Sequence, residues 1–310
     1  MIEYEIVKHD RLKDVRIFIN SIRLRSVHMH RDLELFHVLE GEGTVIIKNQ
    51  KHSVRRGDTL LINAYDSHEI IALTDTLTLL IIQFSNHFLR EYYHAMRNTV
   101  FLNNSPKSQF PEAEYEKLLD DMIRLSNDYL REEHLFELSC VHYLSDIIYM
   151  LYRYMDTAEL SETEYTKRKK QNRRVDRISS YISENYQRPL RLSDIAEMEG
   201  ITTTHLSHFF TENFGITFQE YLRDKRLECA LRMIGDDSLT ISEIASSSGF
   251  SELKYMTKAF KEAFGMSPSL YRENKVINLP ANKKADISEY IHSKDESLSI
   301  LSSITVKSML

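Results

Sequence analysis

The sequence predicts an α+β protein of two domains: an N-terminal β-barrel with helices flanking its C-terminal side, then an all-helical domain. Three observations carry this. Short β-branched runs punctuated by turn residues fill residues 1–85. Apolar residues then recur at three- and four-residue steps through residues 112–154. Residues 192–271 contain one apolar pattern twice. A length of 310 residues suits two domains, at roughly 100–200 residues each.

In the first region the strand runs are Val15–Ile22, Leu33–Leu39, Thr44–Ile47, Thr59–Ile62 and Thr76–Phe84. Turn material such as Glu40-Gly41-Glu42-Gly43 and Arg55-Arg56-Gly57-Asp58 separates them. Many short strands with frequent turns predict a barrel or sandwich. Two helices follow, over Glu112–Leu130 and Glu132–Tyr154. The second is apolar over more than one face, so it is expected both to pack on the first region and to dimerise. Asp156–Arg174 is nearly devoid of large aliphatics and has Lys167-Arg168-Lys169-Lys170 at its centre; it reads as a linker. The expected divisions are therefore 1–155, the linker 156–174, a helical domain 175–275 and a tail 276–310 of unassigned role. In the tail, Ile287, Tyr290 and Ile291 could start a helix, while Leu298-x-Ile300 and Ile304-x-Val306 alternate like a strand.

The repeat is the strongest signal in the chain. Leu192, Ile195, Ala196 and Gly200 recur as Ile241, Ile244, Ala245 and Gly249. Leu206, Phe210, Phe214, Gly215 and Tyr221 recur as Met256, Phe260, Phe264, Gly265 and Tyr271. Each copy places a small residue in a short helix, a glycine turn, then a second helix. That is the helix-turn-helix arrangement, in which the alanine lets the two helices approach closely. Thr202–Thr204 offer N-cap hydroxyls in the first copy. Thr240-Ile241-Ser242-Glu243 forms a capping box in the second, and Ser251 is placed to cap its second helix.

Formal charge is −6, yet its distribution is uneven. Residues 1–166 hold 18 Lys+Arg against 27 Asp+Glu, residues 167–275 hold 18 against 15, and residues 276–310 hold 4 against 4. An acidic first half thus precedes a mildly basic second half, and the local field governs binding to a polyanion. Cys140 and Cys229 have no metal-type spacing, so a cysteine-built zinc site and a disulfide scaffold are excluded. The opening residues lack a signal-peptide pattern. No apolar run nears the ~18–20 residues of a membrane span. A cytoplasmic protein without membrane association is expected.

The run from Gly249 to Arg272, G-F-S-E-L-K-Y-M-T-K-A-F-K-E-A-F-G-M-S-P-S-L-Y-R, resembles the C-terminal signature of the AraC/XylS family of transcription regulators. The first copy, with F-F-T-E-N-F-G-I-T-F-Q-E-Y-L-R-D-K-R-L, is similar to that family's first helix-turn-helix and connecting helix. The likeness spans Val175 to Arg272; Met256 stands where the family often has Phe, and Thr217-Phe218 replaces the second copy's Ser-Pro. It implies double-stranded promoter or operator DNA as partner, RNA polymerase as a further partner of an activator, and a homodimer. Helical geometry turns Thr203, Thr204, Ser207, His208 and Thr211 outward on the first recognition helix. On the second it turns out Leu253, Lys254, Thr257, Lys258 and Lys261. Lysine can read guanine O6/N7, and methyl groups can meet thymine methyls; for any single lysine a phosphate is the commoner partner.

His28-x-His30-x-x-x-Glu34, then Gly57-Asp58 eleven residues before His68, resembles the two cupin motifs in spacing. Ile22, Asn63 and Tyr65 depart from those motifs. The barrel is thus expected to be cupin-like, with His28, His30, Glu34, His37 and His68 lining a small-molecule effector pocket and with neither metal nor cofactor required. The leading reading is a non-enzymatic, effector-responsive regulator binding adjacent major-groove segments. Two alternatives stand: gating by a protein partner, which a filled barrel interior would favour, and a metal-dependent cupin enzyme with a DNA-binding appendage.

Overall fold

A computed structural model describes residues 11–89, 91–273 and 289–303. Eight strands open the chain: β1 (Val15–Ile22), β2 (Leu24–His28), β3 (Leu33–Glu40), β4 (Glu42–Ile47), β5 (Gln50–Arg55), β6 (Thr59–Ile62), β7 (His68–Ala72) and β8 (Leu77–Phe84). The five predicted runs appear as β1, β3, β4, β6 and β8. β2, β5 and β7 were not among them; β5 reads Gln-Lys-His-Ser-Val-Arg and buries only Val54, too few apolar residues for a strand pattern. Two antiparallel sheets result. One runs β1-β8-β3-β6 and the other β2-β7-β4-β5. Between them lies a core of Phe36, Val38, Val45, Ile47, Leu60, Leu79 and Ile81. Gly41 joins β3 to β4 at φ +91°, where a Cβ would meet the Thr76 carbonyl at 2.4 Å; only glycine permits that hairpin to close on its neighbour.

A short strand β9 (Thr99–Phe101) leads to α1 (Glu112–Arg131) and α2 (Phe136–Tyr154), and β10 (Thr157–Glu159) returns to pair with β9. The outer face of the first sheet meets these helices. Leu33, Leu35, Ile82 and Phe84 pack with Leu118, Leu119, Met122, Leu144, Ile148 and Leu151. Both cysteines are reduced and buried.

The expected linker is not a loop. α3 (Glu162–Asn185) runs unbroken through it into the second domain. Ser161 and Glu164 close a capping box at its start, and the Lys, Arg and Gln residues of its first half are good helix formers, while Val175, Ile178 and Ile182 of its second half are buried. Helices α4 (Leu192–Glu199), α5 (Thr203–Phe214), α6 (Phe218–Met233), α7 (Ile241–Ser247), α8 (Leu253–Phe264) and α9 (Pro268–Tyr271) complete the domain. The repeat holds. Phe210, Phe214 and Tyr221 rings cluster at 4.7–5.6 Å, and Phe260, Phe264 and Tyr271 do so at 4.7–5.7 Å. α6 is the shared spine: Phe218, Tyr221 and Leu222 enter the first core, Leu227, Ala230 and Leu231 the second.

Caps follow prediction in part. The Thr202 hydroxyl accepts from the His205 N–H at 3.1 Å, and Thr240 with Glu243 forms its box. Ser251 does not cap α8; the helix starts one residue later, behind Glu252, whose side chain makes no cap bond. The tail is the reverse of expectation. β11 (Glu289–Ile291) pairs with β1 beside the barrel, and α10 (Lys294–Ser302) packs Leu301 against the α1 side of the core. Tyr290 and Ile291 prefer the sheet because β1 offers a free edge, and Ser293 with Glu296 caps a helix over the predicted strand. Ile287, Ile304 and Val306 lie outside the described residues.

Candidate functional site

Two constellations stand out, one on each domain. On the helical domain, α5 and α8 each bury one face in a helix-turn-helix core and leave the other to solvent. Thr203, Thr204, Ser207, His208 and Thr211 are exposed on α5, and Leu253, Lys254, Lys258 and Lys261 on α8; Thr257 is half-buried. The two faces differ in chemistry. α5 presents hydroxyls and imidazoles, with the Thr211 hydroxyl donating to the Ser207 carbonyl at 3.2 Å. α8 presents three ammonium groups, two of them held by exposed acids: Lys254–Glu252 at 2.9 Å and Lys258–Glu262 at 3.7 Å. Such exposed pairs are worth little and exchange readily for phosphate. Tyr255, not among the residues the sequence pointed to, is 48% exposed with the Lys254 ammonium 5.0 Å from its ring centre. An aromatic one residue beyond an outward lysine was the available signal.

The two units are locked together at a turn. Gly249 has φ +88°, and a Cβ there would meet Gln187 Cα at 2.7 Å and the Tyr186 carbonyl at 2.8 Å. The second unit's turn therefore rests directly on the backbone that joins α3 to α4 in the first.

In the barrel, β2 and β7 pair so that His28 lies opposite His68. The His28 and His68 rings are 4.0 Å apart, and His30 and His68 are 5.2 Å apart. Glu34 of β3 completes the group, with Oε2 at 3.0 Å from His30 Nε2 and Oε1 at 3.7 Å from His68 Nε2. All four residues are buried. His30 Nδ1 faces the Asp32 carbonyl at 2.8 Å and His68 Nδ1 faces the Asp66 carbonyl at 2.9 Å. A carbonyl only accepts, so both Nδ1 atoms carry protons and both Nε2 atoms turn toward the carboxylate. For His30, that leaves Nε2 facing an acceptor, and the contact requires a second proton or a cation. Burial alone would raise the Glu34 pKa; the His30 hydrogen bond, the His30 and His68 charges and the Gln83 amide more than offset it and hold the carboxyl at about 2.

A divalent cation, which the cupin fold implies, fits this donor set. Ligand atoms of His30, Glu34 and His68 lie within 4.8 Å of one another, two nitrogens and a carboxylate suit a first-row metal, and carbonyls orient both imidazoles from behind. The space beside the cluster is small. A cavity of about 30 Å³ lies among Arg25, His28, Glu34, Gln83 and Glu289, room for an ion or a water. A hydrophobic cluster including Phe36, Val38, Leu60 and Leu79 packs between the two sheets of the barrel, and β11 pairs along β1.

His37 is not part of this group. Glu34 and His37 are three residues apart on one strand, so they face opposite sides. His37 points to the helix side, where its Nδ1 bonds the Thr59 hydroxyl at 2.8 Å and Thr59 bonds Tyr115 at 2.7 Å. Burial, with the nearby Lys107 charge, pushes its pKa down to about 3.

The geometry defines a protein that couples a histidine-bearing barrel to a pair of helix-turn-helix units. Comparison with known families places both halves. Residues 25–83 match the cupin domain and residues 195–274 match the helix-turn-helix domain. The chain carries a cupin domain joined to an AraC-type helix-turn-helix domain, the pairing its own motifs resemble. Its relatives include an uncharacterized HTH-type transcriptional regulator of Staphylococcus aureus strain MSSA476, 25% identical over 76% of this chain and 30% of that protein. Another is the uncharacterized HTH-type regulator YfiF of Bacillus subtilis strain 168, 32% identical over 34% of this chain and 35% of that one. The chain thus spans about a third of the length of the curated relatives it matches. Among solved structures it is similar to ToxT of Vibrio cholerae O395, with a TM-score of 0.48 and 16% identity over 84% of this chain and 98% of that one. It is also similar to the C-terminal domain of the response regulator yesN of Fusobacterium nucleatum, with a TM-score of 0.30 and 35% identity over 31% of this chain and 95% of that one. No helix among the described residues is long and apolar enough to cross a membrane.

Proposed function

We propose that the chain is a sequence-specific, non-enzymatic transcription regulator that binds adjacent major-groove segments through α5 and α8 and takes its input through the N-terminal domain. The observation that carries this is the paired core on α6, with both recognition faces turned to solvent. Successive major-groove segments on one face of a duplex lie about 10–10.5 bp apart, so one chain covers roughly two turns. Lys254, Lys258 and Lys261 give α8 the stronger electrostatic hold, while the neutral α5 face works through hydroxyl contacts and shape.

Footprinting the full chain on the DNA around its own coding region tests the reading. Protection of two groove segments is expected, each lost separately on mutation of α5 or α8. If Lys258 reads a guanine, Lys258→Ala costs ~1–3 kcal/mol and relaxes one base position; if it holds a phosphate, affinity falls for every sequence and the salt slope drops by about one. Absence of any protected site at moderate salt would sink the proposal.

The barrel cluster bears on the non-enzymatic part. If a divalent ion binds, His30, Glu34 and His68 hold it and it supplies Lewis-acid character there. Elemental analysis after mild purification is expected to find well under one equivalent of Mn, Fe, Ni or Zn. A stoichiometric ion whose removal uncovers a lost catalytic activity favours the enzyme alternative.

A further inference from the structure

The seam between the barrel and α3 forms an open cleft of about 400 Å³, within the size range of small-molecule sites. Its wall is strongly cationic. Arg31, from the β2–β3 turn, and Arg97, from the turn before β9, face it from the barrel domain; Arg168, Lys169 and Arg173 face it from α3. Against these five cations, the described residues of the wall include two acids, Asp14 and Asp176. Two of the cations are engaged: Arg168 with Asp66 at 3.5 Å and Arg97 with Glu162 at 3.6 Å. Lys169 and Arg97 also lie over the Tyr165 ring, at 5.8 and 5.4 Å from its centre, while Arg31 and Arg173 make no hydrogen bond or ion pair among the described residues. Gathering like charges on both sides of a seam opposes its closure, so the arrangement is stable with an anion between them.

We propose that this seam binds a small molecule bearing a phosphate or pyrophosphate group, which bridges the barrel to α3. Arginine forks match phosphate oxygens bidentately, and Asn172 and the Tyr165 ring lie on the wall for the uncharged part. Its cations come from both the barrel and α3, so a small ligand can bridge the two, although Arg31, Lys169 and Arg173 remain solvent-exposed. Its position gives it leverage. α3 continues into the first helix-turn-helix core through Val175, Ile178 and Ile182, so an anion that draws α3 to the barrel acts on α5. That regulatory consequence rests on the DNA-binding reading; the binding itself does not.

The test is calorimetric titration of the full chain with sodium pyrophosphate, with ionic strength held constant by sodium chloride. Saturable one-to-one binding is expected, weakened at least tenfold in the Arg31→Ala/Arg173→Ala double variant and unchanged in Lys258→Ala. Urea midpoints confirm that each variant is folded. Non-saturating heats, or equal weakening by Lys258→Ala, show only diffuse attraction and overturn the site. So does a double variant that binds pyrophosphate normally. If it instead loses affinity for all DNA sequences with a shallower salt slope, while pyrophosphate never bound, the patch is a DNA contact and the proposal is wrong. In wild type, saturating pyrophosphate is expected to change DNA affinity several-fold, and in the double variant not at all. Pyrophosphate binding without any DNA binding removes the regulator reading alone; DNA binding without pyrophosphate binding removes this inference alone.

Discussion

His37 shows how one buried side chain sets a pH dependence. Its imidazole stays neutral in the folded protein down to about 3 because burial disfavours the charge and Lys107 adds to the effect. Unfolded, it takes up a proton near its usual 6.5. Between those values the unfolded state binds more protons, so stability rises with pH across that window, is complete above it, and is lost as the pH falls through it. From pH 7 to pH 5 this one residue costs ~2 kcal/mol. Urea unfolding of wild type and His37→Asn at both pH values checks it: the variant should lose about that much less, and identical losses would refute the assignment. The same residue marks what the sequence could and could not tell. Spacing grouped His28, His30, Glu34 and His68 through its likeness to the two cupin motifs, and the fold brings them together from β2 and the residues after it, β3 and β7. His37 was misplaced because its type matched a pocket while its parity did not. Parity relative to Glu34 was readable; that the opposite face is covered by Tyr115 of α1 was not.

At the level of elements, the glycine turns make a controlled comparison. Gly200 and Gly249 occupy matched places in the repeat, both at positive φ. Around Gly200 nothing lies within 4 Å of an added Cβ, whereas at Gly249 the backbone of Gln187 and Tyr186 is in the way. Gly200→Ala should therefore cost only the left-handed penalty, ~1–2 kcal/mol. Gly249→Ala should cost more, since backbone cannot step aside, and should uncouple the two units. Thermal denaturation ranks the pair, and footprinting of Gly249→Ala should show one groove segment protected without the other. α2 carries a second element-scale prediction. Leu144 and Ile148, members of the apolar stripe that predicted dimerisation, are fully buried within the chain. The exposed face is instead Leu138, Val141 and Tyr149, at 67%, 40% and 63%. If a homodimer forms through α2, Leu138→Asp with Tyr149→Asp should yield folded monomer by light scattering, whereas Leu144→Asp should unfold the chain. A wild-type monomer at micromolar concentration would exclude the α2 dimer. Periodicity revealed the helix and its wide apolar surface but could not divide that surface between core and solvent. The charged α3 was hidden for the opposite reason: it needs almost no burial over its first half, so it left no apolar period to read.

Across the whole molecule, β2 and the residues just after it form one of the places where the two domains meet. Met29 enters the first helix-turn-helix core beside Ile178 and Phe210. His28 belongs to the barrel cluster. Arg25 reaches Glu228 of α6 at 3.5 Å and Glu289 of β11 at 2.7 Å. Glu228 also faces Lys225 at 3.6 Å and Arg232 at 3.5 Å, and Arg25, Lys225 and Glu228 are all buried. Five residues of chain thus touch the histidine cluster, the first helix-turn-helix unit, the spine helix and the tail, with a bulge between Arg25 and His28 where the strand can absorb a change. The ion group is the part of this junction most open to measurement. Removing one partner from a buried charge group costs ~3–5 kcal/mol, whereas replacing the group by apolar side chains of similar size is nearly neutral. Glu228→Ala should accordingly destabilise the full chain by ~3 kcal/mol or more, and Glu228→Leu combined with Lys225→Met should recover most of that loss. Whether the contact joins domains or merely settles α6 is decided by a double-mutant cycle of Arg25→Ala and Glu228→Ala in urea unfolding. A coupling energy of ~1–3 kcal/mol is expected for groups this close. Coupling near zero, with Lys225→Met still rescuing Glu228→Leu, would mean that α6 satisfies its own charges and that Arg25 transmits nothing from the barrel to the helix-turn-helix units.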